Sequence, residues 1–266
     1  LRILDRVVQK LILKRQSKKE FMKRIQQLKE LENYEIEDIE TVRLLGLPLI
    51  ELEEGNVALE TTFTPIENQR FCIVDIETTG SNSKTDNIIE VGAIMYQGGK
   101  VCDKFESFVH VEYIPENITY LTGIHLEDVK EAPSLANVLE KFRLFLKDAV
   151  FIAHNVNFDY YFISDSMQRC GFGPLLNRRV CSIDLAHKTF EAPKYGLGFL
   201  IEFLNIDVAI RHRAYADALA TVSVLEKSFE NLPANVITTE DLIAFATPKI
   251  PRKKKEKKGK IKGSGF

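Results

Sequence analysis

FCIVDIETTG, residues 71–80, decides how the rest of this chain is read. An apolar run, Phe71 to Val74, leads into Asp75 and Glu77, spaced i, i+2. Residues two apart in a strand point to the same face. A buried strand here would therefore project both acids from one side, near its end. Like charges that close repel, and burial raises the cost. A hard cation such as Mg²⁺ or Mn²⁺ would satisfy them, because carboxylate oxygens are hard ligands. The competing reading is an apolar strand that ends in a solvated acidic turn, and this stretch alone allows both.

Working outward, IIEVGAIMYQ (88–97) and VCDKFESFVH (101–110) read as the next strands, joined by a tight hairpin at Gly98-Gly99. Pro115–Pro133 reads as a loop, SLANVLEKFRLFL as a helix and AVFIA as a short buried strand. A helix is expected from about Asn157, a strand at VCSI, and helices near 184–190, 197–204 and from Tyr215 to Glu230. A meander followed by βα crossovers predicts an α/β fold: a mixed sheet with flanking helices.

Upstream, the stripes Leu4-Val7-Val8-Leu11, Phe21-Ile25-Leu28 and Ile36-Ile39-Val42 predict three short helices, with Ser17 and Glu20 as a capping box. PLIELEEGNVALETTF (48–63) reads as a hairpin turning at Glu53–Asn56. Helices plus hairpin give a winged-helix-like outline, by topology alone. Its third helix carries Glu35, Glu37, Asp38 and Glu40 against Arg43, a face that repels phosphate, so protein docking is expected. The expected division is an N-terminal module at 1–66, a main domain at 67–235 and a basic, disordered tail at 236–266. A linker is expected around Thr64–Asn68.

With 45% hydrophobic residues, the 266-residue chain can bury a sizeable core. No apolar stretch approaches the length of a membrane span, and the charged N-terminus does not read as a signal peptide. The four cysteines show no CxxC pairing, so reduced thiols and a cytoplasmic location are expected. A net charge of −2 hides an acidic body between basic ends, residues 249–266 alone carrying nine Lys/Arg against one Glu. Such a tail either touches nucleic acid or merely solubilises. Just before it, ITTEDLIAFATPK offers Leu242 and Phe245 as anchors for a sliding clamp, but it lacks the Gln that usually opens such peptides, which favours an ordinary final helix.

Two further acidic sites follow the first. Asp159 closes HNVNFD (154–159) just after a buried strand, and HRAYADALAT (212–221) supplies His212 and Asp217 at the start of the last long helix. Alone, each acid reads as a first-turn residue complementing the helix dipole, and His212 as an ordinary histidine. Their order changes that. DxE after an apolar strand, then NxxFD, then HxxxxD resembles the DnaQ-like DEDDh family of 3′–5′ exonucleases, over roughly residues 70–232. Secondary likenesses lie in DNIIEVGAI, LTGIHLEDVKEAP and YGLGFLIEFLNI. Within that family the chain is most similar to the proofreading epsilon subunit of bacterial DNA polymerase III.

The resemblance implies an RNase H-like fold and a two-metal reaction using Mg²⁺ or Mn²⁺. Asp75, Glu77, Asp159 and Asp217 would hold the ions, Asp75 bridging, and His212 would take the proton from the attacking water. A histidine suits that task, its ordinary pKa lying near 6.5. The i, i+5 offset keeps His212 from stacking on Asp217 within one helix, which argues for a loop position. Tyr215 lies nearby, but its spacing does not match the sister group that uses tyrosine. Softer expectations concern substrate: the backbone of Ile76, Thr78 and Thr79 at the terminal nucleotide, Leu121 wedged against bases, Thr122 near the 3′ end. Asn155 and Phe158 would line the groove, although core packing explains Leu121 and Phe158 equally well. Expected partners are single-stranded or frayed DNA 3′ ends and a bacterial replicative polymerase. The competing functions are an RNA-directed exonuclease of the same fold and a non-catalytic replication scaffold.

Overall fold

The computed structural model describes residues 3–207 and 212–248. The N-terminal part contains α1 (Ile3–Leu13), β1 (Gln16–Ser17), α2 (Lys18–Ile25), α3 (Ile39–Leu44), β2 (Leu49–Leu52) and β3 (Asn56–Leu59). Its antiparallel sheet has the order β1-β3-β2. The apolar stripes meet as expected: Val7, Leu11, Phe21, Ile25, Leu28, Ile39 and Val42 share one core with Leu49, Val57 and Leu59. Ser17 Oγ accepts the Glu20 amide at 3.3 Å, and Asp38 caps α3 through Thr41 at 2.8 Å. The two-residue β1 was not foreseen, because it is too short to show a period.

The main sheet comprises β4 (Phe71–Thr78), β5 (Ile88–Gln97), β6 (Lys100–Phe108), β7 (Val150–Ala153) and β8 (Arg179–Cys181). Its order is β6-β5-β4-β7-β8, with the first pairs antiparallel and the last two parallel. Gly98 and Gly99, at φ 59° and 76°, turn the β5–β6 hairpin, a geometry that favours glycine. The intervening segment expected to be irregular holds α4 (Glu116–Thr122) and α5 (Leu126–Val129), both too brief for a legible stripe. Then come α6 (Leu135–Leu146), α7 (Val156–Arg169), α8 (Ser182–Thr189), α9 (Leu197–Phe203), α10 (Ala214–Phe229) and α11 (Thr239–Ala246).

Strand alternation sorts β4 between two cores. Cys72, Val74 and Ile76 pack with α6 and α7. Phe71 and Ile73 pack with α8, α10 and α11. By the same alternation Asp75 and Glu77 belong to the α10 face.

Two sequence-based expectations change. The tail does not begin at 236: Thr238 caps α11 through Asp241, and Leu242, Ile243 and Ala246 are buried against the sheet. Leu242 is 0% exposed, so it cannot anchor a clamp peptide as α11 stands. The basic residues beyond 248 lie outside the described residues. The segment expected as a linker is stitched down, Ile66 donating to Ile237 O at 3.1 Å and Thr239 to Thr64 O at 2.9 Å. The N-terminal part also grips the main body. The Arg143 guanidinium donates to Leu45 O at 3.0 Å and Gly173 O at 2.9 Å. Leu176 is buried in the N-terminal core.

Candidate active site

Asp75 and Glu77 stand on β4 where the strand leaves the sheet. A register shift between Glu77 and Thr78 marks a bulge there, a device that re-aims side chains beside functional sites. On the neighbouring strand, Asp75 pairs with Gly92 and Glu77 with Glu90. Both partners act on α10. A Cβ on Gly92 would lie 2.2 Å from Tyr215 N and 2.3 Å from Ala214 C, so glycine is what lets the first turn of α10 settle on β5. Glu90 accepts the Ala214 amide at 3.0 Å and the Arg213 guanidinium at 2.7 Å. With that turn pinned, Asp217 reaches the strand acids: oxygens of Asp75, Glu77 and Asp217 all lie within 4.8 Å of one another.

Asp159 arrives from the other side. It sits in the first turn of α7, is 4% exposed, and its Oδ1 accepts the Ile76 amide at 3.3 Å. It is not part of the 4.8 Å cluster, yet its charge bears on Asp75. Burial raises Asp75 well above the ordinary carboxylate range, and Asp159, Glu77, Asp217 and Glu90 push in the same direction. Glu77 is raised to about 7, by burial first and then by Asp217 and Glu90, with Arg213 opposing. Asp159 is raised to about 8 by burial, against backbone hydrogen bonds that lower it. Convergent, mutually repelling oxygens in a partly desolvated corner fit a divalent cation, which supplies the missing positive charge.

His212 lies two residues before α10, ahead of the N-cap Arg213, and outside the acid cluster. Its φ of 57° is left-handed, a conformation that costs a non-glycine residue of order 1–3 kcal/mol and persists where surroundings impose it. Tyr215 packs partly against the α10 core, with Lys104 Nζ 5.2 Å from its ring centre.

The softer expectations divide. The Ile76 side chain is in the core, leaving its backbone to act. Thr78 Oγ1 donates to Gly80 O at 2.6 Å, and Thr79 exchanges bonds with Asn87, both 2.9 Å. Leu121 is 51% exposed on α4, whereas Thr122 is buried, its hydroxyl donating to Ile118 O at 2.9 Å and accepting from Ile124 N at 3.1 Å. Asn155 is exposed at φ 87°, capping position of α7. Phe158 packs partly against the core, 5.6 Å from the Phe162 ring. His154 is structural: Nε2 donates to Tyr195 O and Nδ1 accepts from Ser182 Oγ, both at 2.8 Å. Burial lowers it to about 4. Glu90, Gly92 and Arg213 were not singled out from the sequence, although a charged residue inside the apolar run IIEVGAI was the available signal.

A mixed sheet with carboxylates gathered at the end of its central strand is the arrangement of an RNase H-like nuclease. The chain belongs to the exonuclease family, whose family model (RNase_T, Exonuclease) matches residues 72–225. It is 36% identical over 204 residues to the PolC-type DNA polymerase III of Caldanaerobacter subterraneus subsp. tengcongensis, covering 76% of this chain and 13% of that protein. It is 33% identical over 178 residues to the PolC-type DNA polymerase III of Staphylococcus epidermidis, covering 66% and 12%. The chain thus spans about an eighth of the length of these relatives. Among solved structures, E. coli Exonuclease I in complex with a dA16 oligonucleotide has a TM-score of 0.56 at 18% identity, covering 62% of this chain and 42% of that one. Exonuclease X in complex with 5′ overhanging duplex DNA gives 0.51 at 19%, covering 66% and 99%. At such identities these likenesses concern the fold. Among the described residues no helix is long and apolar enough to cross a membrane.

Proposed function

We propose that this chain is a divalent-metal-dependent 3′–5′ exonuclease of the DEDDh type that removes nucleotides from DNA 3′ ends. Its biological role is proofreading beside a replicative polymerase in the bacterial cytoplasm. The observation carrying this reading is the convergence of Asp75, Glu77 and Asp217 oxygens within 4.8 Å, with Asp159 bonded to the same strand. The names of the relatives, all DNA polymerases III, support DNA as substrate and a polymerase as partner.

Asp75, Glu77, Asp159 and Asp217 would hold two Mg²⁺ or Mn²⁺ ions. When bound, such ions acidify a water and stabilise charge on the phosphate and the departing oxygen. His212 accepts the proton of the attacking water. The backbone around Ile76–Thr79 approaches the terminal nucleotide, although the amides of Ile76 and Thr79 are themselves bonded to Asp159 and Asn87. Leu121, Asn155 and Phe158 flank the unpaired bases, Phe158 offering part of an aromatic face for stacking. The hydroxyl of Thr122 closes its own helix, so Thr122 acts there through backbone position. Residues 1–66 serve as a docking module for a protein partner, a reading supported by the acidic α3 segment.

The test is digestion of 5′-labelled and 3′-labelled single-stranded DNA with Mg²⁺, Mn²⁺ or EDTA, beside Asp75→Ala. Stepwise loss from the 3′ end that requires metal and Asp75 is the expected result. Digestion of an RNA oligomer in preference to DNA would assign the same chemistry to RNA. Digestion of neither would leave the scaffold role.

A further inference from the structure

We propose that Glu90 and Arg213 form a latch that positions His212 for phosphodiester hydrolysis, an inference that rests on the exonuclease reading above. Glu90 is 1% exposed although charged, and stands in β5 directly opposite Glu77. Arg213 grips it with a fork, Nε at 3.1 Å and Nη2 at 2.7 Å from Oε1. The other carboxylate oxygen accepts the Ala214 amide at 3.0 Å, so an acid from the sheet caps the first turn of α10 from outside. The Arg213 guanidinium also lies 5.1 Å from the Phe108 ring centre. Phe108 is the β6 partner of Glu90. The guanidinium is therefore held by an ion pair and by a cation–π contact at once.

Arg213 is the residue between His212 and α10. Holding its side chain and the amide after it fixes the C-terminal side of the His212 peptide. The residue anchored from that side has φ 57° about its own N–Cα bond, a conformation surroundings must impose on a side chain other than glycine. An apolar residue of similar size at position 90 would pack without placing another negative charge beside Asp75 and Glu77. The carboxylate is explained by what it grips. Neither Glu90 nor Arg213 belongs to the metal-binding cluster, so both are positioning residues that act through His212.

The experiment uses the full 266-residue chain, a single-stranded DNA oligonucleotide and saturating Mg²⁺. Arg213→Lys keeps the charge but loses the fork, and leaves the Glu90–Ala214 bond in place. The expected result is a fall in kcat of about 10²-fold, the scale of a catalytic group misplaced by about 1 Å, with KM, melting temperature and Mn²⁺ affinity unchanged. In a His212→Ala background the same substitution should cost nothing further, because a residue acting only through His212 has nothing left to position. An equal loss in both backgrounds would overturn the latch, as would Mn²⁺ affinity falling in step with kcat. So would a lowered melting temperature with kcat intact. Should Arg213→Lys fail to fold, Glu90→Gln with Arg213→Gln removes both charges together and strands neither; the same outcomes then decide. Full activity of His212→Ala itself would instead sink the reading of His212 as the base.

Discussion

Glu77 and Glu90 stand directly opposite each other across the β4–β5 pair. Like charges so placed destabilise a sheet, and here the two acids are answered differently. Glu90 is bound by Arg213, while Glu77 faces Asp75 and Asp217 within 4.8 Å. The strand pair thus carries one neutralised acid, which holds α10, and one acid that joins the cluster. This asymmetry builds a cation site from local pairing, and it makes the metal-free protein electrostatically strained.

Relieving that strain should stabilise the protein while destroying its activity. Asp75 is raised well above the usual range by burial and by four neighbouring acids. Asp75→Asn keeps the shape and removes a carboxyl that must either carry a repelled charge or hold a proton the unfolded chain would release. Its metal-free melting temperature should rise, by the equivalent of about 0.5–2 kcal/mol, and DNA digestion should cease. Thermal melting beside a gel assay checks both, and retained digestion would remove Asp75 from the metal site.

The same acids set a pH dependence. In the unfolded chain they lose protons near their ordinary values of 3.8 and 4.5, whereas in the folded, metal-free protein Glu77 holds its proton to about 7 and Asp159 to about 8. Between those limits the folded state binds more protons, so this contribution to stability falls as pH rises from about 4 to about 8. Saturating Mg²⁺ should abolish the decline, and at a concentration 100-fold above Kd should add about 2.7 kcal/mol. Urea melts at several pH values, with and without Mg²⁺, measure the difference. Parallel curves under the two conditions would count against cation binding at these carboxylates.

The sequence made the three acidic motifs and most of the main sheet legible, for physical reasons. The strand at IIEVGAIMYQ and the hairpin at Gly98-Gly99 have strong local signals, a long apolar run and a turn that glycine favours. The acids of the cluster follow apolar strands or open helices, where their positions can be counted. What stayed hidden depends on register. Nothing local says that Gly92 faces Asp75 or that Glu90 grips a residue 123 positions away. The helix at α11 was legible as an ordinary final helix, but its place in the main body was not, because composition averaged over 236–266 masked a short buried face.

His212→Ala should slow digestion by roughly 10²–10⁴-fold while Mn²⁺ binding persists. The residue lies outside the three-acid cluster, so removing its ring leaves the oxygen donors in place. Single-turnover kinetics and a Mn²⁺ titration separate the two quantities. Collapse of metal affinity would make His212 a ligand or a structural residue instead.

Gly92→Ala should inactivate without altering any acid. The added methyl would meet Ala214 and Tyr215 backbone at 2.2–2.3 Å, and backbone cannot rotate aside as a flexible side chain can. Either α10 lifts from β5, carrying Asp217 off Asp75 and Glu77, or the sheet distorts at β5. Overpacking of this kind costs about 1–3 kcal/mol or more. The expected signature is a lower melting temperature with Mn²⁺ affinity lost in the fraction that remains folded. Wild-type metal binding would show that the first turn of α10 has more freedom than this contact allows.

The N-terminal part should unfold together with the exonuclease body. Leu176 comes from the segment leading into β8, yet is buried among Leu11, Phe21 and Leu45 in the N-terminal core. Arg143 of α6 bonds Leu45 O at 3.0 Å, and Thr61 bonds Glu240 of α11 at 2.7 Å. Glu240 in turn takes Arg178 at 2.6 Å, beside β8. These ties mix hydrophobic contact with buried polar bonds whose partners would be stranded if either side opened alone. Calorimetry should therefore give one cooperative transition. Leu176→Ala should lower all of it, by about 2–5 kcal/mol for a buried leucine truncated to alanine. Two separated transitions, with Leu176→Ala moving only the first, would show instead that the N-terminal part is an independent folding unit resting on the nuclease.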